Sequence, residues 1–337
     1  MTVVVKLGSS LVTDGAGRIR RSVLAARAAD VAAIGEPVCV VSSGAIALGL
    51  PVLGLASRPR ATPQLQAASA AGQVRLQLAW ESALRRHGLK VAQVLLSAGD
   101  LAERASYVNV RNALNELLRL GVVPVVNEND ATATDEITFG DNDALAAQVA
   151  VLLGARLLVL LTEVEGVYGA SAELLASGDA IDEAALGIGG PLGRGGMRSK
   201  VAAARLAAEA GIPTVIASGR GDGVVRAIAA GEARGTAFAP AATTKSAFKL
   251  WLRHAKPSVG TLVLDDGARD AILTGGRSLL AVGVVSCDGA FEEGDAVELR
   301  ASDGTPIGKG IAGAGAVELR SRPRGVEAVH RDRLVLY

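Results

Sequence analysis

Residues 121–153, GVVPVVNENDATATDEITFGDNDALAAQVAVLL, read as an apolar strand, an acidic and amide-rich loop, and an apolar-faced helix in direct succession. Between Asn127 and Asp143 the chain carries six carboxylates and no lysine or arginine. Setting such a loop between two elements that need burial is costly unless its charges meet water, cations or a polar substrate. Taken alone, the run reads most plainly as a solvated loop. Its flanking elements, and two lysine motifs far away in the chain, argue for a ligand site instead.

The same alternation extends in both directions. Residues 2–7 predict a short strand ending in Gly8-Ser9-Ser10, residues 19–34 a helix, and residues 38–41 a buried strand running into Ser42-Ser43-Gly44. Residues 64–86 predict a long alanine-rich helix whose Arg75, Glu81, Arg85 and Arg86 stay in water; a strand at 91–96 and a helix at 107–119 follow. Pro124 argues that the strand at 122–126 lies at an edge or carries an irregularity. Beyond the acidic loop, residues 143–153 predict a helix stopped by Gly154. Residues 157–161, LLVLL, are apolar enough to be covered on both faces, as in a parallel sheet. A helix at 198–210, closed by Gly211, and a final strand at 213–217 complete an expected α/β/α sandwich over residues 1–240.

After residue 240 the pattern changes. Residues 241–257 read as a linker holding Lys245, Lys249, Arg253 and Lys256 without an acid, and the first three, spaced by four, suit a short helix with one basic face. Residues 258–337 predict a small β-rich domain built from brief valine and leucine runs at 261–264, 279–285 and 296–299.

Composition narrows the function. At 337 residues and 34.1 kDa the chain is long enough for one large domain and a smaller one. Its net charge of +1 gives no support to bulk attraction toward nucleic acid or an anionic membrane. Cys39 and Cys287 are isolated in apolar runs and predict two buried, reduced thiols; with three scattered histidines they offer no zinc site. The first ten residues lack the apolar length of a secretory segment, and no apolar run is long enough to span a bilayer, so a soluble cytoplasmic protein is expected.

Three loops carry candidate chemistry. Lys6-Leu-Gly-Ser-Ser10 puts a lysine at the end of the first strand, where open α/β sheets bind ligands. Ser43-Gly44-Ala45 offers a hydroxyl and backbone N–H groups after the second. The glycine-rich segment 187–200, GIGGPLGRGGMRSK, precedes a helix with Lys200 in its first turn. Such a segment can wrap an anion with N–H groups, although it lacks the lysine placement of a Walker A loop. Two lysines, two glycine turns, and a loop with Asn127, Asp130, Asn142 and Asp143 suit phosphoryl transfer to a small polar acceptor. No histidine or activated serine or cysteine is positioned for a covalent intermediate, so direct in-line transfer fits better.

Taken in order and spacing, VVVKLGSS, VVSSGAIALG, QVLLSAGD, VVPVVNEND, FGDNDALAAQVA, LLVLLTEVEGVY and GRGGMRSK resemble the glutamate 5-kinases of the amino acid kinase family. The likeness spans essentially the whole chain, the tail being similar to that family's PUA domain but shorter. It implies ATP- and Mg2+-dependent phosphorylation of the γ-carboxylate of L-glutamate, the first step of proline biosynthesis. By motif, Lys6 and Lys200 would contact the nucleotide phosphates and the transferred group, and Asp143 would orient both lysines. Ser43, Asn127, Asp130 and Asn142 would hold glutamate, with Asp141 supporting glutamate or metal geometry. Thr162 and Glu163, with Arg194, Gly195, Gly196, Met197, Arg198, Ser199 and Lys200, would line the nucleotide site.

This chain departs from the family at several of these positions. The family usually has aspartate at Glu163 and threonine at Arg194 and Ser199, and the threonine and Asp-Pro-Arg group expected after Tyr168 is replaced by Gly-Ala-Ser-Ala-Glu. The resemblance also implies a homodimer or homotetramer, coupling to glutamyl-5-phosphate reductase, and feedback inhibition by proline. Two alternatives stand beside it. One is another acceptor within the superfamily: aspartate, N-acetylglutamate, carbamate or a nucleotide. The other is an RNA-binding regulator, which the tail argues against with nine Lys/Arg against twelve Asp/Glu and no aromatic platform.

Overall fold

The structure is a computed structural model that describes residues 1–132, 142–182, 196–242, 247–254 and 256–337. Contacts divide the chain into two compact units, Met1–Thr243 and Thr244–Tyr337.

In the first unit, the described residues form seven strands: β1 (Val3–Leu7), β2 (Val38–Ser42), β3 (Lys90–Leu96), β4 (Val122–Glu128), β5 (Leu157–Thr162), β6 (Thr214–Ser218) and β7 (Thr236–Phe238). Its helices are α1 (Ser9–Val12), α2 (Arg21–Ile34), α3 (Ala45–Gly49), α4 (Thr62–Arg85), α5 (Ala98–Ala102), α6 (Arg104–Arg119), α7 (Asn142–Leu153), α8 (Met197–Glu209) and α9 (Val224–Ala229). The strands make one sheet in the order β3-β4-β2-β1-β5-β6-β7, parallel throughout except for the β6–β7 pair.

Strand parity assigns the two faces, because successive side chains point to opposite sides. Val3, Val5, Leu7, Val38, Val40, Val125, Val159 and Leu161 share a core with Leu24 and Ala28 of α2, Leu76 and Trp80 of α4, and Val225 of α9. The alternate residues, among them Val4, Cys39, Val41, Val126 and Leu160, are also buried, and α6, α7 and α8 pack on that side. Burial on both faces is why β1, β2 and β5 read as unbroken apolar runs. Trp80 is fully buried, and its indole N–H donates to Ser42 Oγ at 2.9 Å, which ties α4 to the end of β2. Removing a buried tryptophan of this kind costs about 3–5 kcal/mol.

Two expectations for this unit are corrected. Of the two readings of Pro124 the edge is wrong, for β4 is interior between β3 and β2 and the edges are β3 and β7, while the irregularity stands in a shortened pairing. The ladder between β2 and β4 covers only Val40↔Val125 and Val41↔Val126 and begins just after Pro124, so the missing N–H falls outside it. The strand at Thr214–Ser218 is not the last either. The three-residue β7 follows it antiparallel, and it is too short to carry a period of its own.

The second unit begins with α10 (Ala247–His254) and continues through β8 (Gly260–Leu264), α11 (Asp266–Leu273), β9 (Leu279–Leu280), β10 (Val284–Gly289), β11 (Ala296–Ala301), β12 (Pro306–Ala312), α12 (Ala316–Arg320) and β13 (Glu327–Leu336). Its six described strands run β10-β8-β11-β12-β13-β9 around a core that includes Leu262, Leu264, Phe291, Val297, Leu299, Leu319 and Val329. The apolar run at 279–285 is not continuous strand: a 3-10 turn at Ala281–Gly283 separates β9 from β10. The segment read as a linker contributes α10, and its Arg253 donates to the Leu336 carbonyl at 2.6 Å and stacks over Tyr337 at 5.2 Å. That arginine ties α10 to β13 instead of presenting a basic face. Lys245 lies outside the described residues.

Among the described residues, no helix is long and apolar enough to cross a membrane. Cys39 and Cys287 are both free and buried, and burial pushes the Cys39 thiol up to about 12.

Candidate active site

The chain leaves β1 for β2, β3 and β4 on one side of the sheet and then crosses to β5 on the other. That makes the C-terminal edge of β1 a topological switch point, where open parallel sheets bind ligands. Lys6, Ser43, Asn127, Asp130 and Thr162 all sit at or just beyond the C-terminal ends of β1, β2, β4 and β5. Lys6 has the parity of Val4, so it faces the side on which α7 packs against β1.

Asp143 meets it there. As the second residue of α7, it stands in the first turn, where the helix dipole favours a carboxylate. Lys6 Nζ lies 2.6 Å from its Oδ1, and Lys200 Nζ, from the first turn of α8, lies 3.1 Å from its Oδ2. All three groups are buried, with Lys6 4%, Lys200 6% and Asp143 0% exposed. Burial pushes the Asp143 carboxyl up, but Lys6 and then Lys200 overcome that and hold it below the usual carboxylate range. Two buried ammonium groups meeting on one carboxylate at the sheet edge suit a multiply charged anion brought alongside them.

Beside this triad lies a chain of amides whose sense is fixed by the backbone. The Glu128 N–H donates to Asn142 Oδ1 at 3.2 Å, so the Asn142 amide N–H groups point the other way. They donate to Ser43 Oγ and to Asn127 Oδ1, each at 3.0 Å. Asn127 in turn donates through Nδ2 to Gln73 Oε1 at 2.8 Å. Asp130 is held separately, its Oδ2 accepting from Ser69 Oγ at 2.6 Å. Desolvation raises the Asp130 carboxyl above its ordinary value, against the opposing pull of Ser69 and Arg58.

Ser69 and Gln73 stand one turn apart on α4, and neither was among the residues expected from sequence. What brings them in is the close approach of α4 to α3. A Cβ on Gly72 would lie 1.8 Å from the Ala45 carbonyl oxygen, and one on Gly49 would lie 1.8 Å from that of Ala68. The available signal was a serine and a glutamine spaced by four among Leu65, Ala68, Gly72 and Leu76 on the buried stripe of α4.

On the other side of the triad, α8 opens at Gly196 with no side-chain cap. The positive end of this thirteen-residue helix's dipole faces the cluster, a field that favours an anion. Met197 and Ser199 are half-buried and Arg198 is exposed. Thr162 ends β5, its carbonyl accepting from the Gly219 N–H at 2.7 Å. Glu163 is exposed and paired with Arg220 at 2.9 Å, on a loop whose Gly219 and Gly221 carbonyls are gripped by the buried Arg27. Asp141, Arg194 and Gly195 lie outside the described residues. The structure therefore gathers Lys6, Asp143 and Lys200 into one cluster and Ser43, Asn127 and Asn142 into another, with Glu163 engaged at the rim. Among the described residues, no group of three or more His, Cys, Asp or Glu is arranged to hold a metal ion.

Comparison with known proteins accounts for this combination. The amino acid kinase family model matches residues 1–218, and the PUA domain model matches residues 260–332. The glutamate 5-kinase of Pseudomonas entomophila (strain L48) is 44% identical, with 99% of this chain and 97% of that protein covered. The glutamate 5-kinase of Myxococcus xanthus (strain DK1622) is 45% identical, with 99% and 96% covered. A solved isopentenyl phosphate kinase superposes on 71% of this chain and all of its own, with a TM-score of 0.51 at 21% identity, a likeness of fold alone. The chain belongs to the amino acid kinase family, in its glutamate 5-kinase branch, and carries a C-terminal PUA domain.

Proposed function

We propose that this protein transfers the terminal phosphoryl group of ATP to the γ-carboxylate of L-glutamate, giving L-glutamyl 5-phosphate and ADP, the first step of proline biosynthesis. The observation that carries the reading is the buried Lys6–Asp143–Lys200 cluster beside the Ser43–Asn142–Asn127 relay at the same sheet edge. The full-length similarity to glutamate 5-kinases supports it.

In this reading the acceptor carboxylate is already ionised at neutral pH, so the site needs alignment and charge compensation more than a base. Lys6 and Lys200 offset the charge on the oxygens of the transferred group, one from the sheet edge and one from the start of α8. Asp143 keeps both ammonium groups in place and is not itself a proton acceptor. Ser43 Oγ accepts from Asn142, which leaves its proton free to donate to the acceptor. Asn127 and Asn142 brace that end of the pocket, and Asp130 receives the α-ammonium group.

The N-terminus of α8, with Gly196, Met197, Arg198 and Ser199, suits the nucleotide phosphates, and Thr162 and Glu163 suit its far edge. Mg2+ would add charge neutralisation along the phosphates and would be held chiefly by their oxygens. A homodimer or homotetramer in the cytoplasm, coupling to glutamyl-5-phosphate reductase, and inhibition by proline belong to the same proposal.

The test is an acceptor-dependent assay with ATP, magnesium and hydroxylamine. L-glutamate should yield trapped γ-glutamyl hydroxamate with matching ADP release. Absence of both, or a higher kcat/KM with aspartate, N-acetylglutamate, carbamate or a nucleotide, would overturn the assignment.

A further inference from the structure

Gln73 has an amide oxygen in use and an amide nitrogen without a partner. The glutamine is 7% exposed, and its Nε2 is a buried donor with no hydrogen bond. This orientation is not arbitrary. The Glu128 backbone N–H fixes Asn142, Asn142 fixes Asn127, and Asn127 Nδ2 must then donate to Gln73 Oε1, turning Nε2 away from the relay.

A second buried atom is left open nearby. Asp130, 5% exposed, uses Oδ2 to accept from Ser69, while its Oδ1 has no partner. Ser69 and Gln73 are four residues apart on α4, so the open donor and the open acceptor hang from neighbouring positions about one helical turn apart. With Gln77 Oε1 one turn further along α4, three buried polar atoms are left unsatisfied in this region, which is expensive unless a ligand or ordered water completes them.

Resting on the reading of this pocket as the acceptor site, we infer that Gln73 is a specificity-determining residue whose Nε2 donates to the α-carboxylate of the amino acid while Asp130 Oδ1 accepts from its α-ammonium group. The pair reads the zwitterion. A donor matched to a charged carboxylate discriminates against a neutral group in the same place by about 10- to 100-fold.

The informative comparison is L-glutamate against its α-carboxamide, L-isoglutamine, which keeps the γ-carboxylate and the ammonium group. The unaltered protein should favour L-glutamate by 10-fold or more in kcat/KM. Gln73→Glu keeps an oxygen for Asn127 but faces the α-carboxylate with a second negative charge, whereas the carboxamide of isoglutamine can donate to it. The glutamate-to-isoglutamine ratio should therefore fall by about 100-fold, with KM for ATP little changed. Gln73→Met, which has the length but no donor, should lower the ratio by about 10-fold and supplies the test if Gln73→Glu does not fold. A merely structural glutamine would depress both acceptors alike and leave the ratio unmoved. An unmoved ratio in these variants, or no preference in the unaltered protein, overturns the inference while the kinase reading stands. If the unaltered protein phosphorylates neither acceptor, that reading falls, and the inference with it.

Discussion

Replacing Asp143 by asparagine tests the electrostatic design of the site most directly, because the change keeps the shape and removes the charge. Its two oxygens lie 2.6 and 3.1 Å from Lys6 and Lys200. At an effective dielectric near 20, these contacts represent about 6 and about 5 kcal/mol of gross attraction. Desolvating three charges consumes most of that gain, so the net loss on breaking the cluster is set by the buried ammonium groups left behind. Removing one partner of a buried pair costs about 3–5 kcal/mol, and here both lysines lose the same partner.

The upper part of that range is expected at neutral pH. The loss is a large share of a typical domain stability of about 5–15 kcal/mol. Trp80 lies in the first unit and Trp251 in the second, so urea unfolding read by Trp80 fluorescence in a Trp251→Phe background isolates the relevant transition. The Asp143 carboxyl is held below its ordinary value, so its contribution is present above the unfolded carboxyl value of about 4 and is lost as pH falls through the folded one. The stability gap between the two proteins should thus be full at pH 7 and close below about pH 4. Turnover should fall about 100-fold or more. An equal urea midpoint at pH 7, or a gap that persists unchanged in acid, would refute the reasoning.

Two further outcomes follow from the same geometry. Gly72→Ala would push a Cβ against the Ala45 carbonyl and prise α4 from α3; it should cost about 1–3 kcal/mol in urea unfolding and raise KM for L-glutamate more than KM for ATP. Asp130 has a raised carboxyl value, so its favourable contribution is present below the ordinary carboxylate range and is lost as pH rises through the folded value. Asp130→Asn should therefore raise the urea midpoint at pH 7, with the gain fading in acid, while abolishing measurable saturation by L-glutamate; an unchanged midpoint would count against a desolvated, ionised Asp130.

The strand and helix order was legible because apolar runs such as VVVKL and LLVLL declare burial on both faces, and glycine turns follow the strands. Pro124 misled because its missing N–H marks where a ladder begins as readily as where a sheet ends. The three-residue β7 has no legible period and is held by pairing to β6 and by the buried Phe238. In the site, Lys6 was visible as a charge inside a strand, and Asp143 as an acid opening a helix. Their contact with each other and with Lys200 depends on three separate elements, which no local pattern specifies. Gln73 and Ser69 were hidden for the opposite reason. A polar residue on an alanine-rich helix looks solvated until Gly72 and Gly49 show how closely α3 covers it.

The opening acidic loop takes on a more definite meaning in this setting. Among the described residues at its ends, Asp143 is engaged by two lysines, Asn127 and Asn142 by the relay, and Asp130 keeps an open carboxylate oxygen. The region thus has two characters: two buried ammonium groups at Lys6 and Lys200, and an open donor and an open acceptor at Gln73 and Asp130. A ligand that satisfies both must carry an anionic group at one end and a zwitterion at the other. L-glutamate has that form, with its γ-carboxylate for the lysines and its α-carbon substituents for α4. Shortening the acceptor by one methylene would leave one end underfilled, and a hydrophobic pocket discriminates such a change by only about 10- to 200-fold. Buried polar atoms left unpaired add to that penalty. In the proposed reading, selectivity for the longer acid comes from holding both ends at once.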